Sequence, residues 1–241
     1  MSNTSQFTDP FLAPYATVIV SHRKSAAAVE TVLAEKAGGS LYEFCDYHLR
    51  FGLFRETDGW LFREWAPNAS EMYILGERTS WNKDPAFRLE KKEDGIFEGR
   101  FGPDAFCHRD LYRLKVVWPG GEGDRIPTAA RRVVQDPETL IFNAQVWEPP
   151  KPYPWKIMHF SPPKAPLLIY EAHVGMALEA GRVGTYYEFE HHILPKIIDS
   201  GYTAIQLMAI QEHPYYGSFG YHVSNFFAPS SRFGTPDELK S

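Results

Sequence analysis

The sequence has few cysteines, no block of basic residues and no long apolar run. Its two cysteines, Cys45 and Cys107, lie far apart and outside any C-x-x-C pattern, which excludes a disulfide framework and a cysteine zinc site. The net charge is −5, from 25 Lys and Arg against 30 Asp and Glu, so the basic footprint of a nucleic-acid or anionic-membrane binder is missing. No run approaches the roughly 18 apolar residues of a membrane span, and the polar residues 1–8 lack a secretory signal pattern.

These absences predict a cytoplasmic protein with reduced thiols and with no metal, no cofactor, no nucleic-acid partner and no membrane partner. The length of 241 residues suits one large or two ordinary domains. Aromatic residues make up 15% of the chain, and its 19 prolines, about 8% of all residues, exceed the usual share of roughly 5%. The aromatic and proline residues therefore mark the regions of interest.

A helix is predicted near the start of the chain, over residues 22–37. This stretch is rich in Ala, Glu and Leu, has Ser21 or Ser25 available as an N-cap, and ends at Gly38 and Gly39. We therefore assign residues 1–40 to an N-terminal helical segment.

Residues 50–134 alternate apolar and polar side chains, with turn signals every eight to twelve residues. This pattern is typical of a small antiparallel β-sandwich. Asp58-Gly59 and Asp94-Gly95 predict tight hairpins, because such pairs supply residues with positive φ. Trp65 is expected in the core. The strands and hairpins with the clearest signals are 51–55 with 60–65, 87–92 with 96–101, and 111–118. We assign residues 41–148 to an immunoglobulin-like β-sandwich.

A different pattern follows a proline-rich stretch, 149–166, which is predicted to be a semi-rigid linker. The order strand, helix, strand over 167–174, 186–199 and 204–210 predicts a βαβ unit with parallel strands. Three local signals support its helices: a capping box at Thr185 and Glu188, a kink at Pro195, and a second helix start at Thr235. Residues 167–241 therefore read as the start of a longer α/β domain.

Two stretches of this last region carry a family resemblance. They read IYEAHVG and GYTAIQLMAIQEHPYYGSFGYHVSNFFAPSSRFGTPDELK. Both are similar to the opening of the catalytic barrel in 1,4-α-glucan branching enzymes of glycoside hydrolase family 13. Upstream, DPFLAPY, FGLFRETDGWLFREWAPNASEMYILG and HRDLYRLKVVW resemble the N-terminal helical segment and the family 48 carbohydrate-binding module of these enzymes. The implied fold class is mainly β with α/β: an N-terminal helix, an immunoglobulin-like β-sandwich, and the first βαβ portion of an incomplete TIM (β/α)8 barrel.

The resemblance implies a reaction on α-glucan, the expected partner. Branching enzymes cleave an α-1,4 linkage, hold the released chain as a covalent glycosyl-enzyme and pass it to a 6-hydroxyl, forming branches in glycogen. This retaining chemistry needs two carboxyl groups about 5–5.5 Å apart, and the family's catalytic carboxylates come from the fourth, fifth and seventh barrel strands. No catalytic residue is assigned here, and the chain alone is expected to be inactive. Of the carboxylates present, Glu171 is expected to be a buried strand residue and Glu212 to orient a loop.

Four residues are predicted to contact substrate. Tyr221 matches the tyrosine that family members present beside the scissile-bond glucose, and His213, like His222, either donates to sugar hydroxyls or is structural. Trp81 and Asn82 form a predicted sugar platform in the sandwich, unless Trp81 is a packed loop residue. The alternative function is a stand-alone, non-catalytic α-glucan binder or scaffold.

Overall fold

The computed structural model describes residues 9–162 and 166–241. The polar start at 1–8 and the linker residues 163–165 lie outside this described part. The described residues divide into two compact units, one ending at Arg50 and the other starting at Phe51.

The N-terminal unit is helical, with α1 over Ala16–Ala37, α2 over Leu41–Phe44 and α3 over Tyr47–Arg50. The predicted start of α1 at residue 22 is wrong, because a 3₁₀ turn over Ala13–Tyr15 leads directly into the helix without a side-chain cap. Ser21 and Ser25 consequently lie inside the helix. Its predicted end is confirmed: Gly38 is left-handed, with φ 91°, and its N–H donates to the last carbonyls.

Within residues 51–162, nine strands form one curled antiparallel sheet. Their order across the sheet is β1-β2-β5-β4-β3-β6-β9-β8, with β7 paired to β6. The strands are β1 (Gly52–Glu56), β2 (Gly59–Trp65), β3 (Glu71–Gly76), β4 (Arg88–Lys91), β5 (Ile96–Phe101), β6 (Leu111–Trp118), β7 (Gly121–Arg125), β8 (Val133–Gln135) and β9 (Phe142–Gln145). Strand β4 pairs with β3 through its first residues and with β5 through its last, so it joins the two halves of the sandwich.

Both predicted hairpins are present. In the β4–β5 connection, Asp94 and Gly95 both have positive φ, 57° and 77°. In the β1–β2 hairpin, Gly59 already belongs to β2 and pairs with Glu56. Of the two turn residues Asp58 and Gly59, only the glycine therefore has a positive φ. The two halves enclose a core of large apolar side chains: Phe62, Met72, Ile74, Phe97 and Leu114.

The α/β portion begins after the proline-rich segment, in which residues 146–162 contain no helix or strand. Strands β10 (Ile169–His173) and β11 (Ala204–Met208) pair in parallel, as predicted. The helix between them is α4 (Tyr186–Glu188), one π-helical turn (Phe189–Ile193) and α5 (Leu194–Asp199). A kink was predicted at Pro195. The structure instead has a wider, π-helical turn immediately before the segment that contains Pro195.

A short antiparallel pair and a terminal helix complete this region. They are β12 (Gln211–Glu212), β13 (Asn225–Pro229) and α6 (Pro236–Lys240). Capping boxes start α4 at Thr185 and α6 at Thr235, as predicted. No helix in the described ranges is long and apolar enough to cross a membrane.

The α/β portion rests directly on the sandwich. Arg132 Nη1 donates to the Gly234 carbonyl at 2.9 Å, and Asn225 Nδ2 donates to the Pro127 carbonyl at 3.4 Å. Ala228 of β13 is buried within the apolar core of the sandwich. These contacts attach β13 and the start of α6 to the sandwich.

Candidate functional site

The carboxyl ends of β10 and β11 border an open cleft of about 670 Å³. Its lining includes Glu171, His173, Met176, Phe219 and Tyr221. In barrels of parallel strands, active sites form at this end of the strands. The cleft is therefore the place to test the residues predicted in the loop between β12 and β13.

Glu212 shapes this loop from inside. Its carboxylate is fully buried and accepts bonds from the His213 N–H at 3.1 Å and the Ser231 N–H at 2.7 Å. Its backbone carbonyl accepts from the Ser224 N–H at 2.9 Å. The predicted role of Glu212 in orienting the loop agrees with these bonds.

Tyr221 lies on the solvent side of the loop, is 67% exposed, and borders the cleft. Gly220 precedes it with φ 82°, and a Cβ there would lie 2.6 Å from the Cβ of Ala209. The close approach to Ala209 thus requires glycine. This local geometry presents the ring and hydroxyl of Tyr221 to the cleft.

His213 differs from its predicted role as a sugar-contacting donor. The ring is fully buried, with Nδ1 donating to the Gln211 carbonyl at 3.0 Å and with Phe233 and Tyr216 beside it. A buried ring has no solvent-facing atom for a sugar hydroxyl, so its contact is with the loop itself. His222, in contrast, is exposed.

His173 is a cleft residue that the sequence reasoning missed. It is the last residue of β10, and its Nε2 lies 2.9 Å from the Phe219 carbonyl, which ties the strand to the Tyr221 loop. Its position at the carboxyl end of a predicted parallel strand was the available signal. Glu171, two residues earlier, is exposed, so the expectation that it is buried was wrong.

In the sandwich, Trp81 is half-buried beneath a cation. Ser80 and Trp81 both adopt left-handed backbone, with φ 48° and 59°, and the Arg113 guanidinium lies 4.8 Å from the Trp81 ring centroid. Arg113 is held there by Asp124 at 3.2 Å. Asn82 is exposed, and its amide donates to the Ser80 carbonyl at 2.7 Å. One face of Trp81 is therefore already occupied.

Trp65 offers a more open ring, contrary to its predicted place in the core. Trp65 is 53% exposed, because its indole extends from the end of β2 and donates through Nε1 to the Asp94 carbonyl at 2.9 Å. The next residue, Ala66, donates to the Gly95 carbonyl at 2.9 Å. Pro67 lies against Gly95, where a Cβ would come within 2.4 Å of the proline Cα. The ring thus stands on a rigid base.

Near these sites, burial shifts the pKa of two tyrosines. Burial raises the pKa of Tyr112 and of Tyr186, so both phenols stay neutral in the sandwich core and beneath the loop. Among the described residues, no group of three or more His, Cys, Asp or Glu side chains is placed to hold a metal ion. Cys45 and Cys107 are exposed free thiols.

Comparisons with known proteins identify similar proteins for the sandwich and for nearly the whole chain. The profile of carbohydrate-binding module 48, the isoamylase N-terminal domain, matches residues 50–137. The 1,4-alpha-glucan-branching enzyme of Eremothecium gossypii is 41% identical over 254 residues, and the match covers 96% of this chain and 36% of that enzyme. The enzyme of Dictyostelium discoideum is also 41% identical, over 240 residues, and the match covers 96% of this chain and 35% of that enzyme. The chain is therefore similar to 1,4-alpha-glucan-branching enzymes along nearly its whole length. It spans about a third of the length of these relatives.

Solved structures of pullulanases share the fold of this chain. A pullulanase from Bacillus acidopullulyticus superposes with a TM-score of 0.63 at 21% identity, over 78% of this chain and 27% of the pullulanase. A mutant pullulanase from Paenibacillus barengoltzii, complexed with maltotriose, superposes with a TM-score of 0.62 at 18% identity, over 78% of this chain and 33% of the pullulanase. Together with the strand topology, these likenesses confirm the predicted mainly β fold with its curled antiparallel sheet. Within this branching-enzyme relative, Trp65, Trp81 and Asn82 lie in the family 48 module, and Tyr221 lies in the α/β portion.

Proposed function

We propose that this chain is the N-terminal part of a 1,4-alpha-glucan-branching enzyme of glycogen biosynthesis, located in the cytoplasm. The observation that carries the proposal is 41% identity to enzymes of that name along 96% of the chain, together with the family 48 module. The complete protein cleaves an α-1,4 linkage, holds the released chain on a carboxylate and transfers it to a 6-hydroxyl. Two carboxyl groups about 5–5.5 Å apart would serve this retaining reaction.

The residues of this chain act in binding rather than in bond cleavage. Tyr221 covers a sugar face beside the scissile bond and bonds it through its hydroxyl, a dual use that suits an amphipathic ring. In the sandwich, Trp65 supplies the open stacking face, while Trp81 and Asn82 supply a second contact. His213 supports the Tyr221 loop from beneath.

The carboxylates near the cleft do not form an acid and nucleophile pair. Glu212 is fully buried and both of its oxygens bond backbone N–H groups, so it cannot reach a glycosidic bond. Glu171 is exposed and has no second accessible carboxylate among the cleft-lining residues of the described chain. We therefore expect the 241-residue chain to bind glucan without branching it.

Two preparations test this: the purified chain and the product of the complete coding sequence. Each is incubated with amylose, iodine staining is followed, and new α-1,6 branches are counted by debranching, because simple hydrolysis also lowers staining. We expect branches from the complete protein and none from the chain. Branch formation by the chain would overturn its assignment as binding-only, and a complete protein that binds amylose but forms no branches would support the non-catalytic alternative.

A further inference from the structure

A second aromatic groove lies away from the cleft, where the proline-rich segment passes between the sandwich edge and the α/β portion. It encloses about 550 Å³. Its lining includes four aromatic rings and two cationic side chains: Trp147, Tyr153, Trp155, Phe227, Arg131 and Lys240. None of these residues belongs to the cleft or to the sandwich platforms described above.

The groove is built from anchored rings. The Tyr153 hydroxyl donates to the Lys240 carbonyl at 2.8 Å, and the Lys240 ammonium lies 5.5 Å from the Tyr153 ring centroid. Trp147 is held between the His108 ring, 4.8 Å away, and the Arg132 guanidinium, 5.0 Å away. Side chains that are already ordered lose little further entropy when a ligand arrives.

Substantial aromatic surface nevertheless remains open to water. Trp155 is 58% exposed, and its ring meets Tyr153 edge-on at 5.1 Å with an interplanar angle of 74°. Phe227 of β13 adds a third partly exposed ring. Clustered, exposed aromatic side chains of this kind are typical of ligand-binding grooves and interaction surfaces.

The polar groups around the rings identify the class of ligand. Arg131, Lys240 and Glu148 line the groove and are exposed, so donors and acceptors of both charge signs surround the aromatic floor. This mixture does not select a polyanion. A glucan chain has apolar sugar faces for the rings and hydroxyls for the charged groups, and its successive units turn relative to each other, as Tyr153 and Trp155 do.

We propose that this groove binds a strand of α-1,4-glucan, at a site separate from both Tyr221 and the sandwich tryptophans. The proposal rests on the proposed function, since it takes α-glucan as the protein's ligand. A site on the proline-rich segment would hold the glucan against both the sandwich and the α/β portion. It would thereby raise the effective concentration of glucan near the cleft.

The test is a titration of the ¹⁵N-labelled full chain with maltoheptaose, followed through the tryptophan indole N–H signals in NMR spectra. Trp155→Phe, Trp147→Phe and Trp65→Phe assign the three relevant signals. We expect the Trp155 signal to shift saturably with maltoheptaose and not with cellohexaose, its β-linked counterpart. Trp155→Ala should weaken binding at this site about five- to tenfold, read from the remaining Trp147 signal. Phe160→Ala is the matched control, because Phe160 is 77% exposed on the same segment but does not line the groove.

The outcomes separate this proposal from the proposed function. If the Trp65 signal shifts and the Trp155 signal does not, the groove proposal is overturned while glucan binding by the sandwich stands. An equal response to cellohexaose, or an equal effect of Phe160→Ala, would also overturn it. If no indole signal shifts at high maltoheptaose concentration, the groove proposal fails, and so does the expectation under the proposed function that this chain binds glucan.

Discussion

Two tryptophans of the sandwich differ in what their rings offer to a ligand. Trp81 has the Arg113 guanidinium 4.8 Å from its ring centroid, so a sugar stacking on that face would first displace a paired cation. Trp65 is exposed and fixed by one bond from its indole N–H to the Asp94 carbonyl. A ring with a free face and a fixed orientation binds sugar with less loss of contacts and entropy.

We therefore expect Trp65→Ala to lower retention of the chain on insoluble starch more than Trp81→Ala does. Loss of one stacking ring should weaken binding by about three- to tenfold. Trp118→Ala is the matched control, since Trp118 is a sandwich tryptophan whose ring lies under the Arg125 guanidinium. Retention that is lowered equally or more by Trp81→Ala would refute the ranking, and unchanged retention in both variants would exclude the two rings as platforms.

The βαβ helix shows how a short sequence signal specifies an element. Thr185 Oγ1 accepts from the Glu188 N–H, and the Glu188 carboxylate accepts from the Thr185 N–H, which satisfies donors that a helix start leaves unpaired. Arg182 adds an ion pair to the same carboxylate. The bond from Arg182, ahead of those from Thr185, lowers the pKa of Glu188 to about 2 from 4.5.

This shift predicts a pH-dependent contribution to stability. Because the folded-state pKa is lowered, the ionised Glu188 stabilises the fold fully above the unfolded pKa of 4.5, and this contribution disappears as pH falls toward about 2. Wild type should melt at a higher temperature than Glu188→Gln at pH 6, and the difference should narrow between pH 4.5 and pH 2. Circular dichroism melts at low salt measure both variants.

Glu179→Gln provides the control for this experiment, because it removes the same charge from an exposed position in the preceding loop. Its melting temperature should follow wild type at each pH. A gap between wild type and Glu188→Gln that stays constant from pH 6 down to pH 3 would contradict the proposed linkage.

The sandwich and the α/β portion are joined through Arg132. Its Nη1 donates to the Gly234 carbonyl and its Nε to the Gln145 side chain, each at 2.9 Å, while the guanidinium lies against the Trp147 ring. Burial lowers the pKa of Arg132, although the group stays charged at neutral pH. One side chain thus links strand β9, the start of α6 and the base of the aromatic groove.

We expect Arg132→Ala to reduce the free energy of unfolding by about 1–3 kcal/mol, because it leaves a partly buried carbonyl without its charged donor. Arg132→Lys should recover only part of the loss, since an ammonium cannot reproduce the two bonds and the ring contact. Urea unfolding measures the loss, and amide hydrogen exchange in α6 should become faster. Arg131→Ala is the control, and equal destabilisation by both variants would contradict the special role of Arg132.

Local elements of this protein follow from short stretches of sequence. The Asp-Gly turns, the capping boxes at Thr185 and Thr235 and the parallel strand order all depend on neighbouring residues, so the sequence alone predicts them. The start of α1 and the π turn were not predicted, because an uncapped start has no side-chain signal and a wider turn reflects packing along the whole helix.

Exposure of the candidate binding residues depends on residues that are distant in sequence. Arg113 from β6 covers Trp81, the turn at Asp94 holds Trp65 outward, and Phe233 helps to enclose His213. Family resemblance located the Tyr221 loop, but the groove at Trp155 exists only because the proline-rich segment packs beside β13 and α6. Backbone conformation is set within a few residues, whereas burial is set by whichever strands the folded chain brings together. The sequence was therefore sufficient for the elements and the family resemblance, and the assembled fold determined which aromatic rings remain exposed.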